Sequence, residues 1–484
     1  MGTARTLTRT KSSLGAGSAL SASPAFPSPS ITATFMVNRI ITPREKRHRF
    51  PADGENQETA HYPGVGYTGR MPTKRRSAKT EAKPVPTSRL ASLDAFRGFD
   101  ILTMIFVNYC AGIANIPAWM KHAPSNIDGY TFVDVVFPGF LFIVGVAIPL
   151  AIQSRLAKGD NPWQILAHII RRVAGLLLLG VVFVNMEDGR FNEAATGMGE
   201  SLWTLLFFLG VIVVWSAPLG KGTVRLVHYA LKAVCGIGMA WLLFIFRRSV
   251  EGGGVSWLQH EWWGILGLIG WAYLAASIIY LVTRGNRTAI MGFLALTVAI
   301  YIGDRHGSIP GYLDPFSRWE SIGGLFGTDA TIVLAGVLVG QLFTKEAVEY
   351  PCNKVSFMLW LGLGLYAAGM LIRPLHGISK DNGTDAYALV TAGECCLLFL
   401  AFYWVMDIWG LKKWAVWLIP VGVNPLLAYI LPDIFGSFLD LANLHRLFWW
   451  VHSGWNGVAN CAVMTAVILA LTAGLTQARI RLKL

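Results

Sequence analysis

Apolar runs of about twenty residues, separated by shorter polar segments, follow one another along the chain after residue 88. A run of that length crosses the hydrocarbon core of a membrane when it is helical. The runs lack the alternation of membrane strands, so the pattern predicts an all-α, polytopic transmembrane helix bundle. Two runs are short or weakly bounded, and we therefore expect about ten to twelve spans. The predicted centres are Leu102, Phe142, Leu177, Leu206, Ala240, Ile269, Leu294, Leu334, Gly362, Leu398, Val421 and Ile468.

Residues 1–88 lack this pattern and are rich in Ser, Ala, Thr, Pro and Arg. Such a composition predicts a disordered basic leader ahead of one membrane domain, residues 89–484. The leader has no apolar core of the kind that a secretory signal peptide needs. Met71 opens a short basic stretch, MPTKRRSAKTEAKPVPTSR, so the sequence fits a start at Met71 as well as at Met1.

Composition points to lipid as the main solvent of the chain. Of 484 residues, 54% are hydrophobic and only 14% are charged, whereas soluble domains are about a quarter charged. The formal net charge of +13 does not indicate a nucleic-acid partner, because much of it lies just before the first span, where it fixes orientation and contacts anionic lipid. Six cysteines fall mostly in or beside apolar runs without metal spacing, so we expect buried thiols and no metal.

The positive charges of the short loops predict the orientation of the spans. If the amino end is cytoplasmic, alternate loops place most Lys and Arg inside, as the positive-inside rule requires. The inner cations are then Arg155, Lys158, Arg171, Arg172, Lys221, Arg225, Arg284, Arg287, Lys345, Lys354, Lys412, Lys413, Arg479, Arg481 and Lys483. The outer segments are residues 115–131, 186–200, 247–261, 304–328, 373–385 and 436–457.

Polar groups near membrane depth are expensive and therefore indicate function. In the first outer loop, His122 is the sole histidine, and a neutral imidazole is a natural proton acceptor near pH 7. A single histidine is also commonly an ordinary surface residue. Asp134, just before the second span, either orients His122 or caps the helix, which is a frequent duty of Asp.

The segments SLDAFRG, MIFVNY and KHAPSNIDGYTFVDVVFPGFLFIVGVAI resemble the heparan-α-glucosaminide N-acetyltransferase family and its bacterial relatives of unassigned substrate. Weaker similarity continues to about residue 435. The resemblance implies transfer of an acetyl group from cytosolic acetyl-CoA to an amino sugar across the membrane, here a bacterial inner membrane. It also implies that His122 is the catalytic histidine and Asn108 its companion. The family's compact His-Ala-x-Trp-Asn-Gly differs here, since Ile127 and Asp128 separate Asn126 from Gly129 and the Trp is missing.

Acyl transfer needs a base or a nucleophile and a donor for the developing oxyanion. His122 suits either of the first two roles, and the Asn108 amide suits the third. For acyl-CoA as the donor substrate, phosphate contacts would come from Arg97, Arg171 and Arg172 near the cytoplasmic face. Arginines at helix ends are equally ordinary topology anchors.

For the acceptor we expect contacts from Asp128, Asn126 and Asn424, although Asn424 and Glu394 also fit helix-to-helix hydrogen bonds. Tryptophan beside Asp or Asn suits sugars, but tryptophan is also common in interfacial belts. Further candidates at the outer face are Asp304, Arg305, His306, Trp319, Glu320, Arg373, His376, Lys380, Asn382, Asp433, His452, Trp455 and Asn456.

Two other classes stay open on sequence alone. A transporter or flippase of a glycan or small solute would bind its solute at mid-membrane and needs no CoA. A non-catalytic membrane partner is the third class. The acceptor, the acyl chain and a homo-oligomeric state are not determined by the sequence.

Overall fold

The computed structural model describes residues 90–217, 221–250, 252–262, 264–308, 323–344, 351–444 and 453–482. The predicted leader, residues 1–88, lies outside these ranges, as do the acceptor candidates Trp319, Glu320 and His452. All other predicted site residues lie within them.

Helices dominate the described ranges. They are α1 (Ala91–Ala111), α2 (Phe132–Leu156), α3 (Pro162–Met186), α4 (Glu193–Thr196), α5 (Glu200–Trp215), α6 (Thr223–Ile245), α7 (Ile265–Val282), α8 (Arg287–Arg305), α9 (Asp329–Gly340), α10 (Pro351–His376), α11 (Asp385–Tyr403), α12 (Leu418–Val423), α13 (Pro425–Leu441) and α14 (Gly454–Gln477). Short 3-10 helices cover Ala118–Met120, Glu187–Gly189, Gln341–Phe343 and Lys413–Trp417, and π-helical turns cover Gly323–Thr328 and Trp404–Ile408. The strands β1 (Arg248–Val250) and β2 (Gly254–Ser256) form one antiparallel hairpin.

The predicted all-α membrane bundle is confirmed, and each predicted centre falls inside a described helix. Among the described residues, nine helices are long and apolar enough to cross a membrane. A tenth crossing arises if Lys413–Val423 and Pro425–Leu441, which meet at 79°, act as one broken span. Two further predicted spans, α1 and α5, fall short of this length and apolarity. Helix α1 carries Asp94, Arg97 and Asp100 in its first half, and α5 has only 16 residues.

Glycines allow the closest helix contacts. A Cβ added to Gly145 of α2 would fall on the carbonyl of Val333 in α9, and one on Gly336 would fall on the carbonyl of Phe142. Such small residues let helix backbones approach closely in membranes. The central position of α9 agrees with this, since 89% of its apolar window is buried, compared with 11% for α6. Helix α9 is therefore an inner helix of the bundle.

The loops gather in the two groups that the charge pattern predicts. Segment 115–131 hydrogen-bonds to 373–385, and segment 186–200 to 247–261. At the other end of the bundle, the start of α1 hydrogen-bonds to Asp407, and residue 217 hydrogen-bonds to Arg481, which follows α14. We call these the His122 end and the Arg97 end. Which end faces the cytoplasm stays a prediction.

Candidate active site

The first loop carries His122 and leads into α2 through a capping box. Thr131 is the N-cap, and its backbone amide donates to Oδ2 of Asp134 in the first helical turn at 2.9 Å. The backbone amide of Ala123 donates to the same oxygen at 3.1 Å. One buried carboxylate thus satisfies backbone donors of the helix start and fixes the chain beside His122.

His122 and Asp134 form the central pair of the site. Nδ1 of His122 lies 2.6 Å from Oδ1 of Asp134, whose side chain is 0% exposed, while the imidazole is 45% exposed. A carboxylate only accepts, so Nδ1 of the neutral ring carries the donated proton and Nε2 holds the free lone pair. Both roles weighed for Asp134 are therefore present, one on each carboxylate oxygen. The geometry suits a general base or a nucleophile whose reactive atom is Nε2.

A second loop, residues 377–384 between α10 and α11, packs against the first. The positive φ angles of Gly377 and Gly383, 69° and 53°, let it turn tightly at both ends. Inside the loop, Thr384 Oγ1 accepts from the backbone amides of Ser379 and Tyr387 at 3.1 and 3.3 Å. These bonds cap α11 and give the loop a defined shape.

Asp128 joins the two loops. Its Oδ1 accepts from the backbone amide of Ile378 at 2.7 Å, and its Oδ2 accepts from Nε of Arg373 at 2.9 Å. The amide of Ile378 first and the Arg373 guanidinium second hold the pKa of Asp128 below its usual range. We call this set of contacts the Asp128 latch. Asp128 was predicted to bind substrate; the structure engages it in loop docking, and it lies within the insertion that departs from the family motif.

The latch brings Lys380 to His122. Nζ of Lys380 lies 3.3 Å from both ring nitrogens of His122. Burial lowers the pKa of Lys380, and the nearby carboxylates of Asp134 and Asp381 act in the opposite direction. Lys380 was only one of many outer-face candidates in the sequence, because nothing in the pattern signals its proximity to a loop some 250 positions earlier.

A second histidine–carboxylate pair closes the base of the same loop. Nδ1 of His376 lies 3.1 Å from both oxygens of Asp385, which is fully buried at the start of α11. The ring of Tyr301 packs on His376 at 5.5 Å, and the Tyr301 hydroxyl accepts from Nε of Arg305. Asp385 was missed by the sequence reasoning, although the Thr-Asp pair before an apolar run is a helix-start signal.

Two tyrosines were also missed, the buried Tyr387 and the half-buried Tyr130. Tyr387 donates to the backbone carbonyl of Asp134 at 2.6 Å and so ties α11 to the start of α2. Tyr130 donates to Glu394 at 2.5 Å. Burial, followed by the interaction with Glu394, raises the pKa of Tyr130, so the phenol stays protonated and remains a donor. Tyrosines inside apolar runs give no sequence signal of their polar partners.

The three asparagines predicted for the site occupy different places. Asn108 and Asn126 are exposed at the His122 end, and neither hydrogen-bonds to His122 among the described residues. Asn424 is fully buried at the break between α12 and α13. Its amide donates to Thr476 Oγ1 and to the carbonyl of Ile480, and its Oδ1 accepts from the backbone amide of Leu482. The structure thus places Asn424 at the Arg97 end and not with the outer-face residues.

The predicted donor-site arginines all lie at the Arg97 end but in three settings. Arg97 donates to the carbonyl of Gly422 at 3.3 Å and lies 3.8 Å from Asp94. The Arg172 guanidinium stacks over Tyr273 at 4.8 Å, and its buried Nε has no hydrogen-bond partner among the described residues. Arg171 faces an open pocket of about 290 Å³, the Arg171 pocket, lined by Arg155, Asp160, Gln164, Ala167, His168 and Arg171.

Comparisons with known proteins agree with the sequence motifs. Residues 89–320 match the model of a domain of unknown function, DUF5009. Heparan-alpha-glucosaminide N-acetyltransferase of Homo sapiens is 41% identical over 377 residues, which cover 72% of this chain and 53% of the relative. The protein of that name from Mus musculus is 38% identical over 385 residues, which cover 74% of this chain and 55% of the relative. The chain thus spans about half the length of these relatives. Over the matched residues the chain is similar to these two N-acetyltransferases, as its first span and loop indicate.

Proposed function

We propose that this protein is a transmembrane acetyltransferase that moves an acetyl group from cytosolic acetyl-CoA to an amino sugar or glycan on the opposite face. The observation that carries the proposal is the pairing of an accessible imidazole with a buried carboxylate, His122 with Asp134, at one end of a membrane bundle. The names of the two relatives support acetyl as the acyl group and an amino sugar as the acceptor.

The transfer follows from the free Nε2 of His122. The acceptor amine attacks the thioester carbon while Nε2 takes the amine proton, so a C–N bond forms and the C–S bond breaks. The leaving thiolate takes up that proton and departs as the thiol of CoA. Asp134 keeps Nδ1 protonated and stabilises the imidazolium that forms in between. An acetyl-histidine on the same Nε2 is the alternative order of events, with the same atoms in balance.

Acetyl-CoA, the acetyl donor, requires cations for its phosphates at the Arg97 end, opposite His122. Helix α2 covers about 30 Å between Asp134 and Arg155, at 1.5 Å per residue. CoA phosphates would lie in the Arg171 pocket, where Arg171 supplies one cation and Arg155, which pairs with Asp160 at 2.7 Å, supplies a second. Arg97 contributes to the same end while it holds α1 against Gly422. The acyl arm would extend from this end into the bundle, toward the side of His122.

This arrangement also sets the proposed orientation. The Arg97 end faces the cytoplasm, where the CoA pool lies, and the His122 end faces outward. The basic leader, residues 1–88, then lies on the cytoplasmic side. We propose a bacterial inner membrane as the location, in line with the bacterial proteins that the first span resembles.

Acetyl transfer by the purified full chain tests the function. With acetyl-CoA and glucosamine, wild-type protein should form N-acetylglucosamine and release CoA thiol in equal amounts. His122→Ala should lower kcat by at least ~10²-fold, the loss expected for a general base, and Asn108→Ala by a similar factor if its amide serves the oxyanion. His228→Ala, a half-buried histidine at the Arg97 end, is the matched control and should retain wild-type turnover.

Two outcomes would contradict the proposal. One is full turnover of His122→Ala. The other is uptake of glucosamine into proteoliposomes without acetyl-CoA and without any acetylated product, which is the behaviour of a transporter.

A further inference from the structure

Lys380 places its ammonium beside the imidazole of His122. Its Nζ lies 3.3 Å from Nδ1 and 3.3 Å from Nε2 of His122. Nδ1 already donates to Asp134, so it has no lone pair to offer. Nζ thus lies beside the imidazole, equally distant from both nitrogens, and 3.3 Å from Nε2, the atom that the proposed function uses. A substrate atom that reaches Nε2 comes within reach of Lys380 as well.

The loop that carries Lys380 is held in place before any substrate arrives. Gly383 donates its backbone amide to the carbonyl of Lys380 at 2.9 Å, and Thr384 donates its own to Ser379 at 3.2 Å. Asn382 Nδ2 donates to the carbonyl of Ser125 in the first loop at 3.2 Å. Together with the Asp128 latch, these bonds fix both loops in one arrangement. Donors that are positioned in advance stabilise a transition state without reorganisation.

The charges around Lys380 keep its ammonium close to the site. Two carboxylates face it, Asp134 from the start of α2 and Asp381 from its own loop, and His122 faces it from the first loop. The side chain is partly buried, so its hydrogen bonds are less screened than those of a surface lysine. Asp134 is shared between His122 and Lys380, and the three groups carry no net charge when Lys380 is protonated and His122 is neutral.

We propose that Lys380 is a catalytic residue of the acetyl transfer, whose ammonium donates a hydrogen bond to the thioester oxygen as it becomes the oxyanion of the tetrahedral intermediate. This inference rests on the proposed function of His122. As the amine attacks, the carbonyl π electrons move onto that oxygen, His122 Nε2 takes the amine proton, and Lys380 keeps its own proton. When the C–S bond breaks, the electrons return to the carbonyl and the thiolate leaves. Lys380 is thus a donor in addition to Asn108.

Turnover as a function of pH tests the proposal with full-length protein, acetyl-CoA and glucosamine. Lys380→Met should lower kcat by ~10²-fold, as the loss of one oxyanion donor does, with little change in KM for glucosamine. Lys380→Arg should restore at least about a tenth of the wild-type kcat, because a guanidinium keeps charge and donors but differs in shape. Lys121 precedes His122 in the first loop, so Lys121→Met is the matched control and should retain wild-type kcat.

The alkaline side of the rate profile separates a catalytic from a structural lysine. Since burial lowers the pKa of Lys380, wild-type kcat should fall at a pH below the ordinary lysine value of about 10.4. That fall should be absent in Lys380→Arg, whose side chain stays charged, and present in Lys121→Met. Wild-type kcat and an unchanged profile in Lys380→Met, with His122→Ala inactive, would overturn the inference and leave the proposed function standing. Full activity of His122→Ala would instead overturn the proposed function.

Discussion

Arg373 donates through Nε to Asp128 Oδ2 at 2.9 Å, although 245 residues separate the two in the chain. Nη2 of Arg373 also donates to the backbone carbonyl of Asp128 at 3.1 Å. This contact joins the first loop to the last turn of α10, at a point six residues from His122 and seven residues from Lys380. The position of Lys380 beside His122 therefore depends on a contact that lies outside the reacting groups.

Asp128→Asn should loosen the two loops at neutral pH. The substitution removes the negative charge of the carboxylate that accepts hydrogen bonds from the Ile378 backbone amide and the Arg373 guanidinium. Both contacts are partly exposed. Hydrogen exchange at the backbone amides of Ile378 and Gly129 should become faster by about fivefold, the size expected for one exposed ion pair. Asn126→Ala, at an exposed neighbouring position, should leave both exchange rates unchanged.

The pH dependence of the same exchange follows from the lowered pKa of Asp128. A carboxyl whose folded-state pKa is depressed stabilises the docked loops fully above its ordinary value of about 3.9. That contribution is lost as pH falls through the lower, folded-state value. After correction for intrinsic exchange, protection of Ile378 in wild-type protein should thus be constant from neutral pH down to about 4 and fall only in stronger acid. Loss of protection at pH 5 to 7 would show that another group controls the docking.

The fold could be predicted from the sequence because membrane spans are long apolar runs. The predicted centres in α1 and α5 lie in helices, although α1 is charged and α5 is short. The broken helix around Val421 was predicted as one continuous span. Pro425 is compatible with a helix start, so the pattern did not show that Asn424 turns the chain by 79°.

The site could be predicted only where its residues are close in sequence. His122 and Asp134 are separated by 12 residues in one loop and helix start, and their pairing was among the expectations. The remaining site residues lie about 250 positions later in the sequence; they are Lys380, Arg373 and Asp385. Tertiary packing brings them to the site through backbone hydrogen bonds, which leave no periodic signal in the sequence. The role of Asn424 differs for the same reason, because its partners lie in the last turn of α14 and in the segment that follows it.

Gly422→Ala should destabilise the bundle. A Cβ at Gly422 would fall on the backbone carbonyl of Asp94, and one at Gly98 on that of Leu418, so α1 and α12 touch backbone to backbone. Separating them costs about 1–3 kcal/mol by analogy with overpacked cores, and for a domain of this size the thermal unfolding midpoint in detergent should fall by about 1–4 °C. Gly364→Ala on α10, where an added Cβ meets nothing within 4 Å, is the control and should not lower the midpoint. Equal midpoints for both variants would refute this packing argument.

Asp134→Asn separates the two duties of Asp134, the capping of α2 and the orientation of His122. Two backbone amides, of Thr131 and Ala123, point at one side of the carboxylate and require an acceptor there. The asparagine oxygen should therefore turn toward them, which leaves Nδ2 facing His122. A donor at that position makes Nδ1 the acceptor and moves the ring proton to Nε2, where it blocks the base.

The expected result of Asp134→Asn is a kcat for acetyl transfer lower by ~10²- to 10⁴-fold, since the imidazole is held in the wrong tautomer. The unfolding midpoint should fall less than in Asp134→Ala, which removes the acceptor of both backbone amides and costs about 1 kcal/mol or more at the helix start. Turnover with acetyl-CoA and glucosamine, measured beside thermal unfolding for both variants, decides between the roles. Wild-type turnover in Asp134→Asn would mean that Asp134 only caps the helix, and the base would then have to act without an orienting carboxylate.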